Sequence, residues 1–207
     1  LGEEAEEAGQ LTAGKTWIGI MMNLMLLGAL FFFVGYMGRR SISEVFGLAR
    51  YPWWRVLVVS TGLMFVVVPL VFVASFVFRR TVLNDVGDGL EMQEAVKLLA
   101  EQSDFALRFS LILAACVVAP VVEEFIFRGY FYPVVKRYSD RFFSAVVTSL
   151  AFAVVHMNLL SMAPLFVLAM AFTIAYELTG CLWVPIVMHA LFNAAQVAMI
   201  LFFMAGA

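Results

Sequence analysis

Pro-Val-Val-Glu-Glu-Phe-Ile-Phe-Arg-Gly, residues 120–129, lies inside an otherwise apolar run long enough to cross a membrane. A charged side chain at the centre of a spanning helix costs about 2.5–3.5 kcal/mol on insertion scales, so charges there are rare and read first as functional. On a helix Glu124 and Arg128 are i,i+4 neighbours and neutralise each other. Glu123 points about 100° away and must find another partner. One carboxylate therefore reads as structural and the other as available for chemistry.

The rest of the chain makes that stretch membrane-embedded. Of 207 residues, 64% are hydrophobic and 14% charged, and the mean hydropathy is +0.97. A soluble domain is nearer half apolar and a quarter charged, so the composition reads as an integral membrane protein. A net charge of −2 with no long basic cluster argues against nucleic acid as a partner. Cys116 and Cys181 both sit in apolar runs and read as small core residues rather than a disulfide or metal pair. The first 16 residues are acidic and polar and do not read as a signal peptide.

Residues 1–16, with Glu3, Glu4, Glu6 and Glu7, read as a solvated acidic tail. Apolar runs then place spans at about 17–37, 56–78, 109–135, 141–158, 162–178 and 182–204. Pro69 marks a possible kink in the second. Tyr51, Trp53 and Trp54 suit an interface. Asp88 with Glu91 resembles a capping box that opens a short surface helix within 79–104. The linkers 38–55 and 136–141 hold four and three Lys or Arg residues, against four (Lys15, Arg79, Arg80, Lys97) on the other side. That bias makes the linkers cytoplasmic and the N-terminus external.

Three more polar residues fall in the later spans. His156 follows Phe152 by one helical turn, and His189 and Asn193 are i,i+4 on the last span. At about 1.5 Å per residue, Glu123 lies roughly 20 Å from the arginine-rich edge, His156 roughly 22 Å and His189 roughly 13 Å, so the three can meet inside the membrane. Singly, each has a bland reading: an inter-helix hydrogen bond for a histidine, helix–helix glue for Asn193. Two histidines and a glutamate also form a zinc-hydrolase ligand set, although the short His-Glu-x-x-His spacing is absent.

Taken in order on consecutive spans, Glu123-Glu124-x-x-x-Arg128, Phe152-x-x-x-His156 and His189-x-x-x-Asn193 resemble the signature of the CAAX-protease and bacteriocin-processing family. These are intramembrane glutamic endopeptidases that include the type II CAAX prenyl protease. The run Leu-Thr-Gly-Cys-Leu-Trp-Val-Pro-Ile-Val-Met-His (178–189) is similar as well. The resemblance covers about residues 105–204 and departs at no motif position.

It implies hydrolysis of a peptide bond in a membrane-associated or lipidated protein or peptide, without a metal. The catalytic set would be Glu123, His156, His189 and Asn193, supported by Glu124, Arg128 and Phe152. If the family acts as metalloproteases, zinc on Glu123, His156 and His189 is the alternative. A carboxylate in a low-dielectric pocket suits general-base work, with His156 holding the same water. His189 and Asn193 would then face the developing oxyanion. The competing reading is non-catalytic, either an immunity or scaffold protein or a small transporter. The expected fold is all-α, a polytopic membrane protein of about six transmembrane helices with a four-helix catalytic bundle. It divides into the tail (1–16), two spans plus a connector (17–104) and the catalytic membrane domain (105–207). The expected location is the plasma membrane in a prokaryote or the endoplasmic reticulum in a eukaryote. Oligomeric state is not legible.

Overall fold

A computed structural model describes residues 2–37, 41–82 and 105–205. The described chain is helical: α1 (Gly2–Phe32) with a π-turn Phe33–Met37, α2 (Ile42–Val45), α3 (Trp53–Thr81), α4 (Phe105–Leu113), a π-turn Ala114–Val118, α5 (Ala119–Glu124), a π-turn Phe125–Phe131, α6 (Tyr132–Tyr138), α7 (Arg141–Val155), α8 (Leu159–Thr179) and α9 (Trp183–Ala205). Elements α4 to α6 follow one another as a single span, 105–138. The all-α reading therefore holds, and the chain is a multi-pass membrane protein.

Residues 2–16, read as a tail, are the opening turns of α1. Glu and Ala are strong helix formers. Of the six spans read from the sequence, five are long and apolar enough to cross a membrane among the described residues. The fourth, α7, has only 15 residues, about 22 Å against a hydrocarbon core of about 30 Å. The proposed capping box and surface helix fall in 83–104, outside the described residues.

Local signals explain where helices begin and end. The Asp140 carboxylate accepts from the amides of Phe142 and Phe143 at 2.8 and 3.0 Å and starts α7. Asn158 accepts from the Ser161 amide at 3.0 Å and starts α8. Gly180 ends α8 with φ +60° and donates to the Tyr176 carbonyl at 2.7 Å. Gly47, also left-handed at φ +64°, passes so close that a Cβ there would collide with the Gly180 carbonyl oxygen. The Leu182 amide donates to the Phe46 carbonyl at 3.1 Å, which fastens the 46–50 turn beneath the α8–α9 corner.

The core lies among α3, α8 and α9, where Val56, Met64, Val71, Leu168, Phe172, Val184 and Met188 are buried together. Both cysteines are free, and Cys181 belongs to this core. Ser60 donates to the Val184 carbonyl at 3.0 Å and ties α3 to α9. The outer faces carry large exposed apolar side chains such as Phe65, Phe72 and Phe202, a surface suited to lipid rather than water. Trp53 and Trp54 are exposed where α3 begins, as interfacial anchors are.

Candidate active site

Arg128 is the fully buried centre of the bundle. Its Nη1 donates to Glu124 Oε1 at 2.8 Å, its Nη2 to the Ala169 carbonyl at 2.9 Å and its Nε to Thr173 Oγ1 at 3.3 Å. Its guanidinium carbon lies 4.7 Å from the ring centre of Phe152 and 5.4 Å from that of Phe172. A buried ion pair is tolerated only when its remaining donors are also satisfied, and Ala169 and Thr173 of α8 supply those acceptors.

The same Glu124 Oε1 lies 2.9 Å from His189 Nδ1. A carboxylate paired with arginine only accepts, so Nδ1 carries the proton and Nε2 is left as an acceptor. His156 follows the same logic: its Nδ1 lies 2.7 Å from the Phe152 carbonyl, which also only accepts. Phe152 further packs its ring against both imidazoles, at 4.8 Å and 5.8 Å between centres. His156 sits at the C-terminal cap of α7, directly after its 15 residues.

Glu123, on the adjoining face, points its Oε2 at both histidines, 3.9 Å from each Nε2. That oxygen is buried and makes no hydrogen bond among the described residues. Three acceptor atoms thus converge, and the 3.9 Å between Glu123 Oε2 and either Nε2 suits a small donor such as water, which has one hydrogen for the carboxylate and one for an imidazole. They open on a cavity of about 350 Å³. Asn193 also lines the cavity, and its Nδ2 donates to the Ala115 carbonyl at 2.8 Å. That use takes one amide hydrogen and leaves the second.

A tetrahedral zinc bound at about 2.0–2.1 Å separates its ligand atoms by about 3.3 Å. The 3.9 Å spacings around Glu123 Oε2 are wider, and no group of three or more His, Cys, Asp or Glu among the described residues is arranged to hold a metal ion.

Residues 105–195 match the family described as type II CAAX prenyl endopeptidase Rce1-like. They carry the Rce1-like pattern. The "Putative membrane peptidase YdiL" of Bacillus subtilis (strain 168) is 34% identical over 91 residues, covering 43% of this chain and 36% of that protein. The chain thus aligns with just over a third of its curated relative. No solved structure matches it.

The motif residues Glu123, Glu124, Arg128, Phe152, His156, His189 and Asn193 lie in or directly behind this cluster. Residues that sequence reasoning passed over sit there too. Ala169, Phe172 and Thr173 read only as one more apolar helix. Ser75 and Arg79, at the end of α3, line the cavity; from the sequence Arg79 entered only the count of Lys and Arg, and Ser75 was not singled out. Glu177 accepts from Lys136 Nζ at 2.6 Å and Tyr132 at 2.9 Å. It lies at the other end of the bundle from the cavity, and its charge inside an apolar span was the available signal.

Proposed function

We propose that the chain is an intramembrane endopeptidase of the CAAX type that hydrolyses a peptide bond with water activated by Glu123. The observation that carries this is the buried, unpartnered Oε2 of Glu123 facing two imidazole acceptors at the floor of a cavity. Water held there by Glu123 and His156 attacks the scissile carbonyl while Glu123 takes its proton. Glu123 then delivers that proton to the departing amine, so one water is consumed and an acid and an amine are released.

Asn193 offers its second amide hydrogen to the oxyanion. His189 keeps its one proton on Nδ1 toward Glu124, so its Nε2 faces the cavity as an acceptor and does not donate to the oxyanion. The family match and the peptidase relative support the reaction class, and the membrane setting supports a membrane-associated or lipidated substrate. The donor spacing is wider than a tetrahedral zinc needs, and the proposed mechanism routes no step through a metal.

The test is peptide release from a membrane proteome by reconstituted protein, wild type against Glu123→Gln at matched folded abundance. General-base removal is expected to lower the rate by about 10²–10⁴-fold. Equal release by both proteins rejects the mechanism. Activity is also expected to survive dialysis against a strong chelator; loss restored by zinc would reinstate the metal reading.

A further inference from the structure

The cavity lined by Glu123 also has a cation in its lining. Arg79 and Ser75 are i,i+4 on the last turns of α3 and both line it, together with Asn158, Ser161 and Gln196. Adjacent Arg80 behaves differently, lying over the ring of Phe76 at 5.5 Å on its own helix. Arg79 is exposed, and among the described residues it makes no ion pair and no ring contact. Other cations near the bundle's polar groups are engaged: Arg128 with Glu124, and Lys136 and Arg141 with Glu177.

Building on the peptidase reading, we infer that Arg79 binds a carboxylate of the substrate and so sets which peptides enter the cavity. The electrostatics require something of the kind. A general base must be ionised to act, so Glu123 presents a negative charge to whatever enters. A carboxylate-bearing peptide is repelled by that charge unless a cation offsets it, and among the described residues the Lys, Arg, Asp and Glu side chains that line the cavity are Arg79 and Glu123. An arginine takes a carboxylate through two parallel N–H donors, which fixes orientation as well as charge. Ser75, one turn earlier, adds a hydroxyl to the same wall. At about 350 Å³, the space is near the small end of ligand sites and accepts a short peptide segment, not a folded domain. A peptide gripped by its carboxylate at Arg79 extends toward Glu123 and presents a backbone carbonyl to the water there.

Two carboxylates fit this chemistry: the free C-terminus of the substrate and an acidic side chain. The probes are farnesylated peptides ending in Cys-Val-Ile-Met, made as the C-terminal acid and as the carboxamide, and a carboxamide with Glu in the last position. Binding is measured in nanodiscs to Glu123→Gln protein, which holds peptide without cutting it, alone and combined with Arg79→Gln, Arg79→Lys or Arg80→Gln. The acid is expected to bind better than the plain carboxamide by about 10- to 100-fold, the weight of one charge-assisted contact. Arg79→Gln should abolish that preference and Arg79→Lys should keep part of it. Arg80→Gln should leave it intact. Preference for the Glu-ended carboxamide over the C-terminal acid, lost in Arg79→Gln, assigns the site to a side-chain carboxylate.

Equal binding of acid and plain carboxamide, with no gain from the Glu-ended peptide, overturns the inference. So does a preference that survives Arg79→Gln. Hydrolysis by the Glu123-intact protein is scored separately. Loss of cleavage with retained Arg79-dependent binding rejects the peptidase reading and leaves the carboxylate site standing.

Discussion

At the scale of single residues, Glu124 and Arg128 hold the site together by serving two purposes at once. Glu124 balances Arg128 and orients His189, so both the charge and the tautomer of the site depend on one carboxylate. Removing one member of a buried pair leaves the other uncompensated, and Arg128→Met is expected to cost about 3–5 kcal/mol. Replacing both, as Glu124→Gln with Arg128→Met, removes the stranded charge and should recover much of that stability. The double variant should nonetheless remain inactive, because a glutamine, which can donate as well as accept, no longer fixes the tautomer of His189. Thermal unfolding in detergent together with peptide release reads both effects. A double variant less stable than Arg128→Met alone would refute the pairing argument.

At the scale of elements, the decisive feature is the short α7 and the turn that ends it. The helix stops inside the thickness of the membrane, and Met157 reverses the chain in the left-handed region at φ +50°. Its side chain is exposed, so the backbone alone sets the cost of a substitution there. Left-handed backbone costs an L-residue about 1–2 kcal/mol, and glycine recovers it against about 0.5–1 kcal/mol of extra unfolded-state entropy. Met157→Gly is therefore expected to be neutral or stabilising by up to about 1 kcal/mol. Met157→Val, with its branched Cβ, should destabilise and displace His156. Unfolding temperature and activity of the two variants check this, and a Met157→Val protein as stable and active as wild type would contradict it.

At the scale of the whole molecule, α3 runs away from the arginine-rich linkers and α6 returns to them, so the cavity lies toward the far end of the bundle. Asn158, Ser161 and Arg79 line it there, while Lys136, Arg141 and Glu177 gather at the opposite end. With Cys116 and Cys181 replaced by alanine, single cysteines at Thr81 and Tyr138, both exposed, should react with an impermeant maleimide from opposite faces of the membrane. Tyr138→Cys is expected on the cytoplasmic face by the bias of Lys and Arg. Labelling of both from one side would refute the direction assigned to α3 and α6. Labelling of Thr81→Cys from the cytoplasm would reverse the orientation and place substrate entry there.

Hydropathy alone determined that the chain is a bundle of membrane helices, because a bilayer rewards apolar length regardless of what packs against it. Helical periodicity separated Glu124 and Arg128 from Glu123, since one turn of geometry fixes which side chains share a face. Rise per residue brought Glu123, His156 and His189 to compatible depths. Only the tertiary structure decided what each polar atom faces. That His189 shows an acceptor at Nε2 follows from Glu124 lying behind it, 65 residues away in sequence. That Ala169 and Thr173 complete the shell of Arg128 follows from α8 packing there. That Arg79 lines the cavity rather than merely marking a membrane edge follows from where α3 ends beside α8 and α9. Such facts depend on contacts between segments distant in the chain, and no local pattern of residue types encodes which partner a side chain will meet.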